Sequence, residues 1–225
     1  MPTIYQPDTI KLFTFDELSN DGKEKARSWW RECEAQDPSG NEFVYDDATQ
    51  CAAILGIEIA PRNQRWRNIS NGREGVDTSP AIYYSGFWSQ GDGACFEGSY
   101  AYAKGASKAI RAHAPTDTEL HRIADELQTL QRKHFYRLTA SMKHRGHYYH
   151  SGCMAVDVYL GDGYYSGEYP NVEIGEAITQ LMRDFADWIY KQLENEHDWR
   201  NADEQVDENI RANEYTFDEE GNRAP

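Results

Sequence analysis

The stretch Ile82-Tyr-Tyr-Ser-Gly-Phe-Trp-Ser-Gln-Gly-Asp-Gly-Ala-Cys-Phe-Glu-Gly-Ser-Tyr-Ala-Tyr102 decides the fold. Two aromatic-rich runs, 82–88 and 94–102, flank Gln90-Gly-Asp-Gly93, the pattern of a β-hairpin whose glycines supply the turn. A loop of about four residues sets Phe87 opposite Phe96 and Tyr83 opposite Tyr100 on a core face. The other face then pairs Trp88 with Cys95, Gly86 with Glu97 and Tyr84 with Ser99. That register puts the Glu97 carboxylate over a glycine depression between the rings of Trp88 and Tyr84, a floor suited to a base, a sugar or a partner's arginine. The bland alternative is an outward-facing Glu97 with glycines that relieve crowding. Asp92, between Gly91 and Gly93, is a weaker binding candidate, because Gly-Asp-Gly already satisfies turn geometry.

Outward from the hairpin, helical periodicity dominates. Ala26, Trp29, Trp30 and Cys33 form an apolar stripe behind Ser19, a candidate N-cap, and Val44, Ala48, Cys51, Ala52 and Leu55 form a second stripe ending at Gly56. Both stripes predict inward-facing cysteines. Ile57 to Ala60 reads as a short strand. A short helix near Ser107 to His113 precedes a longer one capped by Thr116 or Asp117, with Leu120, Ile123, Ala124, Leu127 and Leu130 inward. A second strand pair, His134 to Lys143 and His147 to Leu160, turns at Arg145-Gly146. The clearest helix, Glu173 to Trp199, buries Ile174, Ile178, Leu181, Met182, Phe185, Ile189 and Leu193.

Without regular βαβ alternation these elements predict an α+β fold: an antiparallel sheet of about five strands, in two hairpins, covered by helices mainly on one face. Residues 1–200 read as a single domain and 201–225 as an acidic C-terminal extension, a solvated short helix with a frayed end.

Pro61-Arg-Asn-Gln-Arg-Trp-Arg-Asn68 reads as an exposed loop. Arg62, Arg65, Trp66, Arg67 and, beyond it, Arg73 combine guanidinium groups with an aromatic ring and suit phosphate, single-stranded nucleic acid or an acidic protein surface, unless they only meet the chain's own acidic helices. His144, His147, His150 and Cys153 are weak metal candidates, because strand alternation points His150 away from the first two histidines. No metal or other cofactor is expected. The chain has no GxSxG, GxxxxGK[ST], strand-linked GxGxxG or HExxH motif, so the reading leans away from an enzyme.

The formal net charge is -15. It opposes non-specific nucleic-acid binding by the molecule as a whole. The acidity is concentrated at the two ends around a mildly basic centre. In the C-terminal third, Asp203, Glu204, Asp207 and Glu208 offer either a solvated face or an imitation of nucleic-acid phosphates. No run reaches the roughly 18 apolar residues of a membrane span, and the first ten residues lack the order of a secretion signal, so a cytoplasmic protein is expected. The widely spaced Cys33, Cys51, Cys95 and Cys153 suit reduced thiols.

Phe15-Asp-Glu-Leu-Ser19 with Trp29-Trp30, Ser85 to Gly98, His113-Ala-Pro-Thr-Asp117, Lys143 to Cys153 and Asp203 to Gly221 together resemble an uncharacterised family of bacteriophage and prophage proteins. Some of its members are labelled antitoxins of a toxin–antitoxin stability system. The resemblance carries no catalytic or binding residues. Relative to it, the arginine segment after Ile57 looks like an insertion. The resemblance implies an accessory protein in the cytoplasm of a bacterial host. Such a protein would inhibit a host system, in the manner of an anti-defence or anti-CRISPR protein, by stoichiometric binding to a nucleic-acid-handling defence component. An antitoxin that neutralises a toxin is the alternative. A nucleotide or small-ligand site, or a hydrolase, at Trp88 and Glu97 is a third reading, and a homo-oligomer stays open.

Overall fold

A computed structural model describes residues 11–35, 38–67, 72–161 and 168–224. In chain order the elements are β1 (Phe13–Thr14), α1 (Asn20–Glu34), α2 (Glu42–Leu55), β2 (Ile57–Ile59), β3 (Pro61–Arg67), β4 (Glu74–Pro80), β5 (Ile82–Ser85), β6 (Gly93–Phe96), β7 (Gly98–Ala101), α3 (Ala106–His113), α4 (Thr118–Lys133), β8 (Leu138–His144), β9 (Met154–Leu160), α5 (Val172–Asn201), α6 (Asp203–Ala212) and β10 (Thr216–Phe217). The fold is α+β, and every strand pairing among the described residues is antiparallel. The strands divide among several sheets. The largest has four strands in the order β2-β7-β8-β9, and β1-β10, β3-β4 and β5-β6 form two-stranded sheets.

The chain divides into two compact units, Glu42–Glu194 and Met1–Asn41 together with Asn195–Pro225. In the larger unit the register of the four-stranded sheet sorts its two faces. The row Ile57, Tyr100, Ala140, Val158 is buried, and the adjacent row Glu58, Ser99, Ser141, Asp157 is polar. Helices bury their apolar stripes in the same core as the first row, through Ala48, Cys51 and Leu55 of α2, Leu120, Ile123 and Leu127 of α4, and Ile178, Phe185 and Ile189 of α5. Phe185 meets Phe96 edge-on with ring centres 5.7 Å apart. Asp117 caps α4 by accepting from the Leu120 N–H at 2.9 Å, and its other oxygen accepts from Trp188 Nε1 of α5 at 2.7 Å.

Three strand junctions in this unit bond to one another. Ala60 lies between β2 and β3, Ala81 between β4 and β5, and Glu97 between β6 and β7. The Ala60 N–H donates to the Glu97 carbonyl (2.8 Å), the Glu97 N–H to the Ala81 carbonyl (3.0 Å), and the Ala81 N–H to the Ala60 carbonyl (2.8 Å). This closed triangle satisfies the backbone where each strand changes sheet. Gly98 follows at once, and a Cβ there would stand 2.1 Å from the Glu58 carbonyl oxygen.

The triangle overturns the expected hairpin register. The second run is not one strand from Ala94 to Tyr102, because it breaks at Glu97, and β7 joins β2 and β8 instead. Tyr83 pairs with Cys95 and Tyr84 with Ala94, so Trp88 does not oppose Cys95, nor Gly86 Glu97. The loop is longer than four residues because Asp92 gathers it, accepting from the backbone N–H groups of Trp88 (2.9 Å) and Ser89 (2.6 Å). The arginine segment is likewise not a loop. Pro61–Arg67 pairs along its whole length with Glu74–Pro80.

In the smaller unit, Phe15, Leu18, Ala26, Val206, Ile210 and Phe217 form a separate core edged by Trp29, Trp30 and Tyr215. Ser19 caps α1, accepting from the Gly22 N–H at 3.1 Å. The C-terminal segment is not a solvated helix with a frayed end, because Val206 and Ile210 of α6 are fully buried and β10 pairs with β1. Cys33 is exposed rather than inward, since this small core covers Ala26 and the tryptophans but not the last turn of α1.

Gly98→Ala is expected to lower stability by about 1–3 kcal/mol, the usual cost of forcing an atom into a packed site. Gly175→Ala in α5, where a Cβ meets nothing within 4 Å, should raise stability by about 0.5–1 kcal/mol through helix propensity. Urea unfolding monitored by tryptophan fluorescence distinguishes the two signs.

Candidate binding site at the strand junction

The triangle sets Glu97 at the edge of the four-stranded sheet. Strand alternation turns Glu97 towards the same face as Ser99, and its Oε1 accepts from the His144 backbone N–H at 3.2 Å. Glu58, Ala60, Pro61, Glu97, Gly98, Ser99, Ser141, Met142 and Lys143 line an open cavity of about 350 Å³ on the sheet's polar face. Beside it the Arg62 guanidinium lies 4.9 Å from the centre of the Tyr83 ring. Tyr83 stacks on Tyr149 at 5.4 Å, and both rings contact His144. With its oxygen turned to Arg62, the Gln64 amide accepts from both Nη2 (2.6 Å) and Nε (3.0 Å). Glu97, Ser99, Ser141 and Lys143 therefore share one cavity, and Glu97 and Arg62 both act on Tyr83.

Burial raises the Tyr83 hydroxyl above its ordinary pKa; Glu97 adds to the rise and Arg62 opposes it. Burial likewise pushes the Cys95 thiol up to about 12, with Cys153 and Glu97 reinforcing the shift. A thiol so disposed is protonated at neutral pH and is a poor nucleophile.

Among the residues singled out by sequence, Glu97 and Arg62 come together here, while the others lie elsewhere. Trp88 sits 83% exposed in the loop before β6, and Tyr84 stacks on Phe87. Asp92 takes its structural role in that loop. Arg65 and Arg67 stand on the β3-β4 ribbon, where Arg67 pairs with Glu74 at 3.3 Å. Trp66 pairs through its backbone with Gly75, and its side chain lies outside the described residues.

The four C-terminal carboxylates do not form one free anionic patch. Asp207 receives two hydrogen bonds from Arg27 (2.7 and 2.8 Å), and Asp203 pairs with Arg31 at 2.5 Å. Glu204 and Glu208 are exposed and have no ion pair among the described residues.

The histidine cluster disperses too. His144 opposes Met154 rather than His147, and its Nε2 lies 3.1 Å from the Tyr148 carbonyl. His147 meets the Tyr148 ring edge-on, and His150 Nδ1 accepts from the Gly152 N–H at 2.9 Å. Among the described residues the group that gathers metal-type ligand atoms is a different one: Asp47, Cys51 and His113.

Sequence reasoning missed Tyr83, which the wrong register assigned to the core, and also Glu58 and Lys143. Alternation within β2 and β8 puts the last two on a polar face, but only the junction brings them to Glu97.

This architecture defines an α+β protein with antiparallel sheets and a polar, open sheet face. The model of a domain of unknown function, DUF8835, matches residues 41–203, and the chain belongs to that family. The match encloses the whole of the larger unit, and with it the junction and ribbon. No curated protein and no solved structure matches the chain. Among the described residues no helix is long and apolar enough to cross a membrane.

Glu97→Gln should lower the Tyr83 pKa by removing a neighbouring negative charge, whereas Arg62→Gln should raise it. NMR titration of labelled tyrosine rings reads both directions. Unchanged titration in both variants would mean that the three groups are not neighbours.

Proposed function

We propose that the protein acts by stoichiometric binding to a host protein, with the β3-β4 ribbon as its recognition element. The observation that carries this reading is a ribbon with seven paired positions and no buried residue among those described. Hydrophobic burial does not explain such an element, because an isolated two-stranded hairpin is marginal in water. Its base is tied to the body by the junction triangle and by Arg62 against Tyr83. Between Pro61 and Pro80 it carries four arginines against two carboxylates, in a chain whose net charge is -15. A local cationic element on an acidic body favours a protein surface with matching carboxylates over bulk nucleic acid, which the overall charge repels.

The partner class that best fits a bacterial host is a nucleic-acid-handling defence component, and binding it would make the chain an anti-defence inhibitor. Pairing of Asp203 and Asp207 within their own unit moves the weight of this reading from the acidic C-terminal segment to the ribbon. Capture from a phage-susceptible bacterial lysate with the tagged full chain tests it. One stoichiometric protein should be retained at low salt and released at high salt. It should be lost with Arg65→Glu plus Arg67→Glu but kept with Glu204→Gln plus Glu208→Gln. Capture unaffected by the ribbon variant would overturn the assignment.

A second reading is favoured by the cavity at Glu97, whose size suits a small polar ligand near the lower limit of such sites. Native mass spectrometry of the protein purified from cells should then show a bound small molecule that Glu97→Gln loses. An unliganded mass for wild type and variant alike would remove this reading.

A further inference from the structure

Helix α2 presents Asp47 and Cys51 four residues apart, on one face. His113, the last residue of α3, approaches that face, and its Nε2 lies 3.2 Å from Asp47 Oδ1. One carboxylate oxygen, the thiol sulfur and one imidazole nitrogen all lie within 4.8 Å of one another. All three residues belong to the larger unit. The hydrogen bond between His113 and Asp47 accounts for two of them, and core packing accounts for Cys51. Neither accounts for three different ligand types lying within reach of one ion.

We propose that Asp47, Cys51 and His113 bind a single divalent cation of the zinc class, a site independent of the ribbon reading. Zinc takes mixed oxygen, nitrogen and sulfur donors at about 2.0–2.3 Å in a tetrahedron, which separates ligand atoms by roughly 3.3–3.8 Å. The Asp47–His113 distance of 3.2 Å lies at the short end of that spacing, and the sulfur lies within 4.8 Å of both partners. Cys51 is completely buried, and Ala48, Ala52 and Ile110 belong to the same core, so it anchors the site from the apolar side. Asp47 and His113 are exposed, with side-chain accessibilities of 55% and 31%, so they close the site from the solvent side.

A bound cation deprotonates a coordinating thiol outright, which reconciles a buried, neutral cysteine with a thiolate ligand. Asp117, fixed by the Leu120 N–H and Trp188 Nε1, acts electrostatically on Cys51 and adds negative potential around the cation. Three protein ligands leave the fourth position to water, the composition of an exchangeable rather than a closed structural site. Because the ligands come from two helices, occupancy also clamps α2 to α3 and stabilises the native state by mass action.

Cobalt(II) titration of the tag-free full chain, stripped of metal with a chelator, tests the site. One equivalent should bind with thiolate-to-cobalt charge-transfer absorption and the intense visible bands of four-coordinate cobalt. Zinc should displace it and raise the melting temperature. Asp47→Asn and His113→Gln, at accessible positions that leave the core intact, should each weaken binding by roughly a hundredfold or more, beyond the loss typical of an outer-sphere group. Cys51→Ser should abolish the charge-transfer band; if that variant does not fold, the two accessible variants decide the matter. No cobalt binding, a spectrum without thiolate ligation, or binding insensitive to both accessible variants would overturn the proposal.

Discussion

Three backbone hydrogen bonds among Ala60, Ala81 and Glu97 hold together the strand junction of the larger unit. At each of these residues the chain leaves one sheet for another, a place where backbone donors and acceptors would otherwise lose their ladder partners inside the protein. Closing the three against one another removes that cost and fixes three strand exits at one point. Glycine at 98 is the steric condition, since the Glu58 carbonyl occupies the space that any side chain would need. From this point the chain runs into the ribbon, into the β5-β6 pair and into the four-stranded sheet, and the Glu97 carboxylate lines the cavity on that sheet.

The two faces of that sheet divide the labour. One carries the apolar row that packs with α2, α4 and α5, where Phe96, Phe185 and Trp188 place large rings in contact. The other retains Glu58, Ser99, Ser141 and Lys143 around a cavity, an arrangement that stability alone does not require. In the smaller unit the charges serve the fold: Arg27, Arg31 and Arg211 engage Asp16, Asp203 and Asp207 around a compact apolar cluster. A large negative charge is therefore not the same as a large free anionic surface.

The helices were legible in the sequence because their information is local. The stripes of α2, α4 and α5 and the caps at Ser19 and Asp117 follow from residues within a few turns of each other. The α+β class and the single covered sheet face followed from the same periodicities. Strand register was not legible, because Asp92 lengthens the loop before β6 and the junction interrupts the second run at Glu97. Both effects depend on hydrogen bonds that leave no periodic mark. The site was legible to the same degree: Glu97 and Arg62 drew attention by residue type, whereas their meeting with Tyr83, and that of His113 with Asp47 and Cys51, depends on distant segments.

On the proposed reading the ribbon recognises a partner from a rigid base, and hydrogen–deuterium exchange on the full chain, alone and in complex with the captured protein, is the measurement that decides it. Residues 62–67 and 74–79 should exchange rapidly in the free protein and slowly in the complex, with the amides of Ala60, Ala81 and Glu97 slow in both. Equal exchange of those two strands in the two states, with new protection elsewhere, would contradict recognition through the ribbon.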